Sequence, residues 1–177
     1  MTALPTAPTE LGVGPIMITN IVSVSLLSVA ALRWGGPPER ICVATLFTVT
    51  FGDPVYHLLV ERGPVYGSVD IGHLVMDVGV AAIFIAVALR ANRVYPLWLA
   101  AFQLVSVLSH FARELTDSFP KLAYGLMSYG PFYLILLIMA GGLSFHARRT
   151  RHLGRYSSWR SSSSRSPGSE QRVRPTG

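Results

Sequence analysis

Apolar residues in this chain are gathered into five blocks, which short polar breaks separate. Each block is long enough for a helix to cross about 30 Å of hydrocarbon with its backbone hydrogen bonds satisfied internally. The blocks predict transmembrane helices at about residues 15–32, 41–60, 71–89, 96–115 and 122–145. Turn-forming residues in the breaks, such as Gly35 and Pro120, stop the helices, and the short links make consecutive helices antiparallel neighbours. The pattern therefore predicts an all-α, polytopic membrane bundle of five helices.

The composition excludes an ordinary soluble domain. Of the 177 residues, 50% are apolar and 14% are charged, whereas a soluble domain carries about 25% charged residues. The P-loop, the GxSxG elbow and the HExxH zinc motif do not occur in the sequence. Because Cys42 is the single cysteine, neither an intramolecular disulfide nor a CxxC metal clip can form. We therefore assign no catalytic residues from the sequence.

The distribution of Lys and Arg predicts the orientation, because basic residues in short loops are retained in the cytoplasm. An outside amino terminus places four loop arginines and the eight tail arginines in the cytoplasm and leaves three basic residues outside. Residues 1–14 contain no Lys or Arg, so we expect an extracytoplasmic segment there and not a cleaved signal peptide. The sequence thus predicts a multi-pass protein with a cytoplasmic carboxyl terminus.

The excess positive charge lies entirely in the tail. Residues 1–145 hold seven Lys or Arg against eight Asp or Glu, whereas residues 146–177 hold eight arginines against one glutamate. The Arg- and Ser-rich segment 148–177 is predicted to be disordered, since it has too little apolar surface to offset the entropy of ordering. Arg148, Arg149 and Arg151 are predicted to contact anionic headgroups, at about 1 kcal/mol for each cation. Nucleic-acid binding is not expected, because no aromatic stacking platform accompanies the tail.

Ionisable and polar residues inside the spans are not scattered. They form three stripes at helical spacing: Asp53 and His57 on the second span, Asp70, His73 and Asp77 on the third, and Gln103, Ser106, His110, Arg113 and Glu114 on the fourth. Such groups are costly in a bilayer, so they usually face a bundle interior and mark function. The predicted topology places all three histidines in the outer half of the membrane. The stripes therefore predict one polar pocket that faces the extracytoplasmic side.

Several chemistries suit such a pocket. Neutral imidazoles and carboxylates hold divalent metals such as Zn²⁺, and the predicted ligand set is Asp53, His57, His73, Asp77 and His110. The same groups could relay protons, or two of the histidines could hold haem. The structural alternative is a network of hydrogen bonds between helices, in which Arg113 pairs with Glu114 or Asp77. The sequence leaves these alternatives open.

Two stretches resemble short bacterial inner-membrane proteins of unknown function. The first stretch is residues 90–103, continuing to Ser109 and His110, and the second stretch is residues 154–159. The resemblance implies a bacterial inner membrane and draws attention to His110, but it implies no activity.

The resulting hypothesis is a membrane protein that binds or transports a small ligand or a metal ion. Five spans leave little room for a solute path in one protomer, so transport would require a homo-oligomer. The alternative hypothesis is a structural or accessory subunit, whose polar stripes hold its own helices or a partner membrane protein.

Overall fold

The computed structural model describes residues 14–59, 71–114, 121–154 and 157–160. These residues form five α-helices: α1 (Pro15–Trp34), α2 (Pro37–Leu59), α3 (Ile71–Arg90), α4 (Tyr95–Glu114) and α5 (Lys121–Leu153). The predicted all-α class is confirmed. Asp70 of the predicted pocket lies outside the described residues, as do residues 1–13 and 161–177.

Four of the helices are long and apolar enough to cross a membrane. They are α1, α2, α3 and the segment Tyr129–His152 of α5, whereas the apolar part of α4, Tyr95–Phe111, is shorter. Large apolar side chains on these helices face outward, with Leu26 67%, Leu58 80% and Leu137 68% exposed. An apolar surface of this extent suits hydrocarbon and not water. The chain therefore has the character of a multi-pass membrane protein.

The helices form a ring in which each contacts its neighbours in the chain and α1 contacts α5. A contact between α2 and α5 crosses the ring. The buried core includes Val24 of α1, Leu46 of α2, Phe84 of α3, Leu99 of α4 and Met139 of α5. This apolar core lies between two polar regions, one at each end of the bundle.

The second helix begins at Pro37, four residues before the predicted start. Proline is favoured at the first helical position, where its missing N–H has no intrahelical partner in any case. Glu39, the third helical residue, accepts a hydrogen bond from the Gly36 N–H at 3.1 Å, which is half of a capping box. Pro37 and Pro38 therefore start this helix and do not end a loop.

Glu39 also belongs to a buried ion pair that the sequence analysis did not identify. Its side chain is fully buried and pairs with the guanidinium of Arg93. The Tyr95 hydroxyl donates a hydrogen bond to Glu39 Oε1 at 3.1 Å. The Tyr95 ring lies against Gly142 of α5, where a Cβ would overlap the ring. These contacts join the start of α2 to the α3–α4 link and to α5.

The fifth helix runs to Leu153, eight residues beyond its predicted end. Arg148, Arg149 and Arg151 are therefore helical, and the predicted disorder from residue 148 is wrong for residues 148–153. Arginine is a good helix former, so the helix continues after its apolar segment ends. Gly154 ends it in the left-handed conformation, with φ 75°, which suits a glycine.

A short segment after α5 folds back onto the α3–α4 link. The Asn92 N–H donates to the Ser158 carbonyl at 3.1 Å, and the Arg160 N–H donates to the Arg90 carbonyl at 2.9 Å. Trp159, between Ser158 and Arg160, packs against the apolar core. One aromatic side chain thus anchors a segment whose composition alone indicates disorder.

Candidate metal-binding pocket

A polar cavity of about 520 Å³ lies near the end of the bundle where α2 ends and α3 begins. All five helices contribute to its wall, from Asn20 of α1 to Tyr129 and Phe132 of α5. Seven polar residues of the predicted pocket line this cavity: Asp53, His57, His73, Asp77, Gln103, Ser106 and His110. Three polar stripes on separate helices therefore meet at one cavity.

The first cluster joins α2 to α3. His73 Nε2 lies 2.7 Å from Asp53 Oδ1, and His57 Nε2 lies 3.6 Å from the same oxygen. Asp53 and His57 are one helical turn apart, so both side chains leave α2 on the same face. Asp53 and His73 are half-buried, whereas His57 is exposed. Two imidazoles thus converge on one carboxylate oxygen.

Tyr56 packs against both imidazoles of this cluster. Its ring lies edge-on to His57 and His73, with centroids 5.6 and 5.3 Å away. A Cβ at Gly72 would overlap the Tyr56 phenol, so the glycine makes room for this ring. Tyr56 was not among the site residues predicted from the sequence. Its position between Asp53 and His57, two residues after Pro54, was the available signal.

The donor set fits a small divalent cation. The three possible ligand atoms of Asp53, His57 and His73 all lie within 4.8 Å of one another. In a tetrahedral zinc site with bonds of about 2.0 Å, ligand atoms are about 3.3 Å apart. The spacing of 3.6 Å between His57 and Asp53 is close to this value, whereas His73, at 2.7 Å, would have to move about 0.6 Å away from Asp53. Two histidines and one carboxylate also leave a fourth coordination position open toward the cavity.

The second cluster is centred on Asp77 and joins α3 to α4. Gln103 Nε2 donates to Asp77 Oδ1 at 2.9 Å and reaches the Asp77 backbone carbonyl at 3.3 Å. Ser106 Oγ donates to Asp77 Oδ2 at 3.0 Å, and His110 Nε2 lies 3.0 Å from the same oxygen. Three side chains of α4 therefore satisfy one carboxylate of α3.

The predicted five-residue ligand set is thus divided into two clusters. Within the described part of the chain, the group of close ligand atoms contains Asp53, His57 and His73. His110 and Asp77 line the same cavity but contact each other. Arg113 and Glu114 occupy the last turn of α4, and their side chains lie outside the described structure.

Among the residues that the structure describes, two polar atoms near the cavity have no hydrogen-bond partner. They are Asn20 Oδ1, on a residue of the cavity wall, and Thr50 Oγ1, one turn before Asp53 on α2. Both atoms are buried, and an unsatisfied buried acceptor costs about 1–3 kcal/mol. Such atoms are explained when water or a polar ligand fills the adjacent space.

The arrangement suits cation binding better than haem binding. Haem held by two histidines needs imidazoles that face each other across the macrocycle, whereas Asp53 lies within 3.6 Å of both His57 and His73. Comparison of this chain with protein-family models, with curated proteins and with solved structures found no match.

Proposed function

We propose that this protein is a multi-pass membrane protein that binds a divalent transition-metal ion of the zinc class. The ion is held by Asp53, His57 and His73, and the fourth position opens into the polar cavity. The convergence of two imidazole nitrogens on one carboxylate oxygen supports this proposal above all other observations. Placing a carboxylate and two histidines within a membrane-spanning bundle is costly, and a bound cation offsets that cost.

The proposed topology has five spans, with the amino terminus outside and the carboxyl terminus in the cytoplasm of a bacterial inner membrane. The apolar stretch of α4, Tyr95–Phe111, is shorter than those of the other four helices, and the polar residues Gln103, Ser106 and His110 of this helix face the cavity. A span that presents polar groups to a bundle interior needs fewer apolar residues around its circumference. In this orientation the metal site lies near the extracytoplasmic surface.

The Asp77 cluster has a supporting role in this proposal. Asp77 lies four residues after His73 on α3, about 6 Å further along the helix axis. Its three hydrogen bonds to α4 fix the rotation of α3, and with it the direction in which His73 projects. The metal site therefore depends on Asp77 for its geometry and not for a ligand.

The test is zinc binding by the full-length protein, purified in detergent and stripped of metal with a chelator. Isothermal titration should give about one zinc per chain. Co²⁺ titration should add a visible absorption of the intensity typical of four-coordinate cobalt. In the double variant His57→Ala/His73→Ala, zinc affinity should fall at least 100-fold or so, since two of three ligands are lost.

The matched control is His152→Ala, which removes an exposed imidazole from the last turn of α5 at the far end of the bundle. This variant should bind zinc as the unmodified protein does. Equal affinity in the unmodified protein and in the His57→Ala/His73→Ala variant would contradict the proposal.

A structural or accessory role is the second candidate, and the Asp77 cluster favours it. A carboxylate with three donors from the neighbouring helix is fully occupied in holding α3 to α4. Under this hypothesis the His57→Ala/His73→Ala variant unfolds at a lower temperature, and zinc does not raise the unfolding temperature of the unmodified protein. Under the metal hypothesis, saturating zinc raises that temperature, and the double variant loses the increase.

A further inference from the structure

A second cavity lies at the opposite end of the bundle from Asp53 and His57. Its volume is about 540 Å³, and its walls are the turn between α1 and α2, the end of α5 and Ser158. Four basic side chains line it: Arg33, Arg40, His146 and Arg151. Within the described ranges of the chain, no Asp or Glu lines this cavity. We call it the arginine cavity.

The acidic residue next in sequence to Arg40 is already engaged. Glu39 is fully buried, pairs with Arg93, and accepts hydrogen bonds from Gly36 and Tyr95. Its charge therefore serves Arg93 and does not neutralise the arginines of the cavity wall. The arginine cavity keeps a net positive potential, which favours an anionic occupant.

One arginine of the cavity wall is held in place by a backbone carbonyl. Arg40 Nη2 donates to the Leu32 carbonyl at 3.1 Å, which ties the start of α2 to the end of α1. The first turn of α2 borders the cavity, and so do the last turns of α1 and α5, so the partial charges of these helix ends oppose one another and the side chains determine the charge of the wall. The cavity is therefore built on the helix ends and on their connecting turn.

The segment that follows α5 forms part of the wall. Gly154 reverses the chain, and the backbone of Ser158 then pairs with Asn92. This pairing places the Ser158 side chain at the cavity, with its hydroxyl 3.4 Å from Arg93 Nη2. A cavity lined by a serine hydroxyl and three arginines is a typical environment for a phosphate group.

We propose that the arginine cavity binds a phosphate-bearing anion, supplied as the headgroup of an anionic phospholipid. The cavity lies where the apolar segments of α1 and α5 end, which is the depth of the lipid headgroups. Trp34, which lines it, is a residue type enriched at that depth. Basic pockets between helices on the cytoplasmic side are typical headgroup sites. This inference is independent of the metal proposal, because the two cavities share no residues.

The experiment is a titration of the full-length protein in neutral detergent with three probes: short-chain phosphatidylglycerol, short-chain phosphatidylcholine and inorganic phosphate. The variant Arg33→Gln/Arg151→Gln removes two charges from the cavity wall. The control Arg90→Gln/Arg160→Gln removes two exposed charges from the same end of the molecule but outside the wall. Phosphatidylglycerol affinity should fall about 10-fold or more in the first variant and less than about twofold in the control.

The outcomes distinguish a lipid headgroup from free phosphate, and specific binding from nonspecific attraction. Phosphatidylglycerol binding that depends on Arg33 and Arg151 and exceeds phosphatidylcholine binding supports the headgroup. Inorganic phosphate that binds as tightly, with the same dependence, supports the phosphate site but overturns the lipid source. Equal losses in the two double variants, or equal affinity for both lipids, overturn the proposal, because the attraction is then nonspecific.

A second variant covers the case in which Arg33→Gln/Arg151→Gln does not fold. Ala147→Glu introduces a carboxylate at the cavity wall and leaves every arginine in place. It should lower phosphatidylglycerol affinity by a similar factor, because the carboxylate neutralises the wall and repels phosphate. Unchanged binding in a folded Ala147→Glu protein would overturn the proposal.

Discussion

His73 Nε2 lies 2.7 Å from Asp53 Oδ1, so a single carboxylate joins α3 to α2 at the wall of the polar cavity. His57, one turn after Asp53, approaches the same oxygen. Asp53 is therefore the one member of this cluster that both imidazoles share. Its charge either attracts protonated imidazoles or, with a metal present, balances part of the charge of the cation.

The substitution Asp53→Asn tests this shared position. The amide keeps the shape of the side chain but removes the negative charge and is a weaker zinc ligand than a carboxylate. Zinc affinity should fall about 10- to 100-fold in isothermal titration. The control is Asn20→Ala, which alters the cavity wall without touching the three ligands. A weaker effect of Asp53→Asn than of this control would contradict the ligand assignment.

The Asp77 cluster predicts a loss of stability that a second substitution repairs. In Asp77→Asn, the new amide N–H₂ faces at least one of the three donors of α4, which costs about 1–3 kcal/mol. The double substitution Asp77→Asn/Gln103→Glu restores a hydrogen bond between these two positions, with the donor now on α3 and the acceptor on α4. The double variant should unfold at a higher temperature than Asp77→Asn alone in a thermal melt.

The contradicting result for this exchange is a double variant that is less stable than either single variant. Zinc stoichiometry supplies a separate check, since Asp77 is not among the proposed ligands. Asp77→Asn should keep about one zinc per chain once it is folded. A loss of zinc affinity in folded Asp77→Asn as large as the loss in Asp53→Asn would return Asp77 to the ligand set, whereas a smaller loss reflects its positioning of His73.

The sequence was sufficient to predict the helical class, and residues of the three predicted polar stripes line one cavity in the structure. Both follow from strong constraints, since a bilayer restricts apolar blocks to helices and ionisable groups to a bundle interior. Asp53, His73 and Gln103 lie on separate helices and line one cavity for this reason. Polar residues that are three or four positions apart in the sequence lie on the same face of a helix.

The division of the predicted ligands into two clusters could not be predicted in the same way. His73 and Asp77 lie on one face of α3, but about 6 Å separates them along the axis. The side chain that each one contacts depends on how α2 and α4 are placed against α3, to within an ångström. Helix periodicity contains no information on that placement. The contact between His110 and Asp77 is a result of packing.

The ends of the helices were predicted least well, and Glu39 shows why. Pro37 and Pro38 are typical of loops, but they also suit the first turn of a helix that Glu39 caps. Trp159 shows the same limit in the tail. Its ring needs a site in the folded bundle, and that site does not exist until α3 and α4 have packed.

Adjacent glycines on α5 provide a matched pair for testing the packing around Tyr95. A Cβ at Gly142 would overlap the Tyr95 ring, whereas a Cβ at Gly141 has no neighbour within 4 Å. Gly142→Ala should therefore destabilise the protein by about 1–3 kcal/mol. Gly141→Ala should be neutral, or stabilising by up to about 1 kcal/mol, since alanine favours a helix. Thermal unfolding of both variants in the same detergent measures the difference, and equal unfolding temperatures would contradict the close contact.

The buried pair of Glu39 and Arg93 predicts strong coupling between two substitutions. Glu39→Met leaves the guanidinium of Arg93, which is 6% exposed, without its carboxylate, and breaking a buried pair costs about 3–5 kcal/mol. Glu39→Met/Arg93→Met removes both charges together, so it should be more stable than Glu39→Met alone. Thermal melts of the two variants test this order. A double variant whose loss of stability equals the sum of the two single losses would show that the charges do not depend on each other.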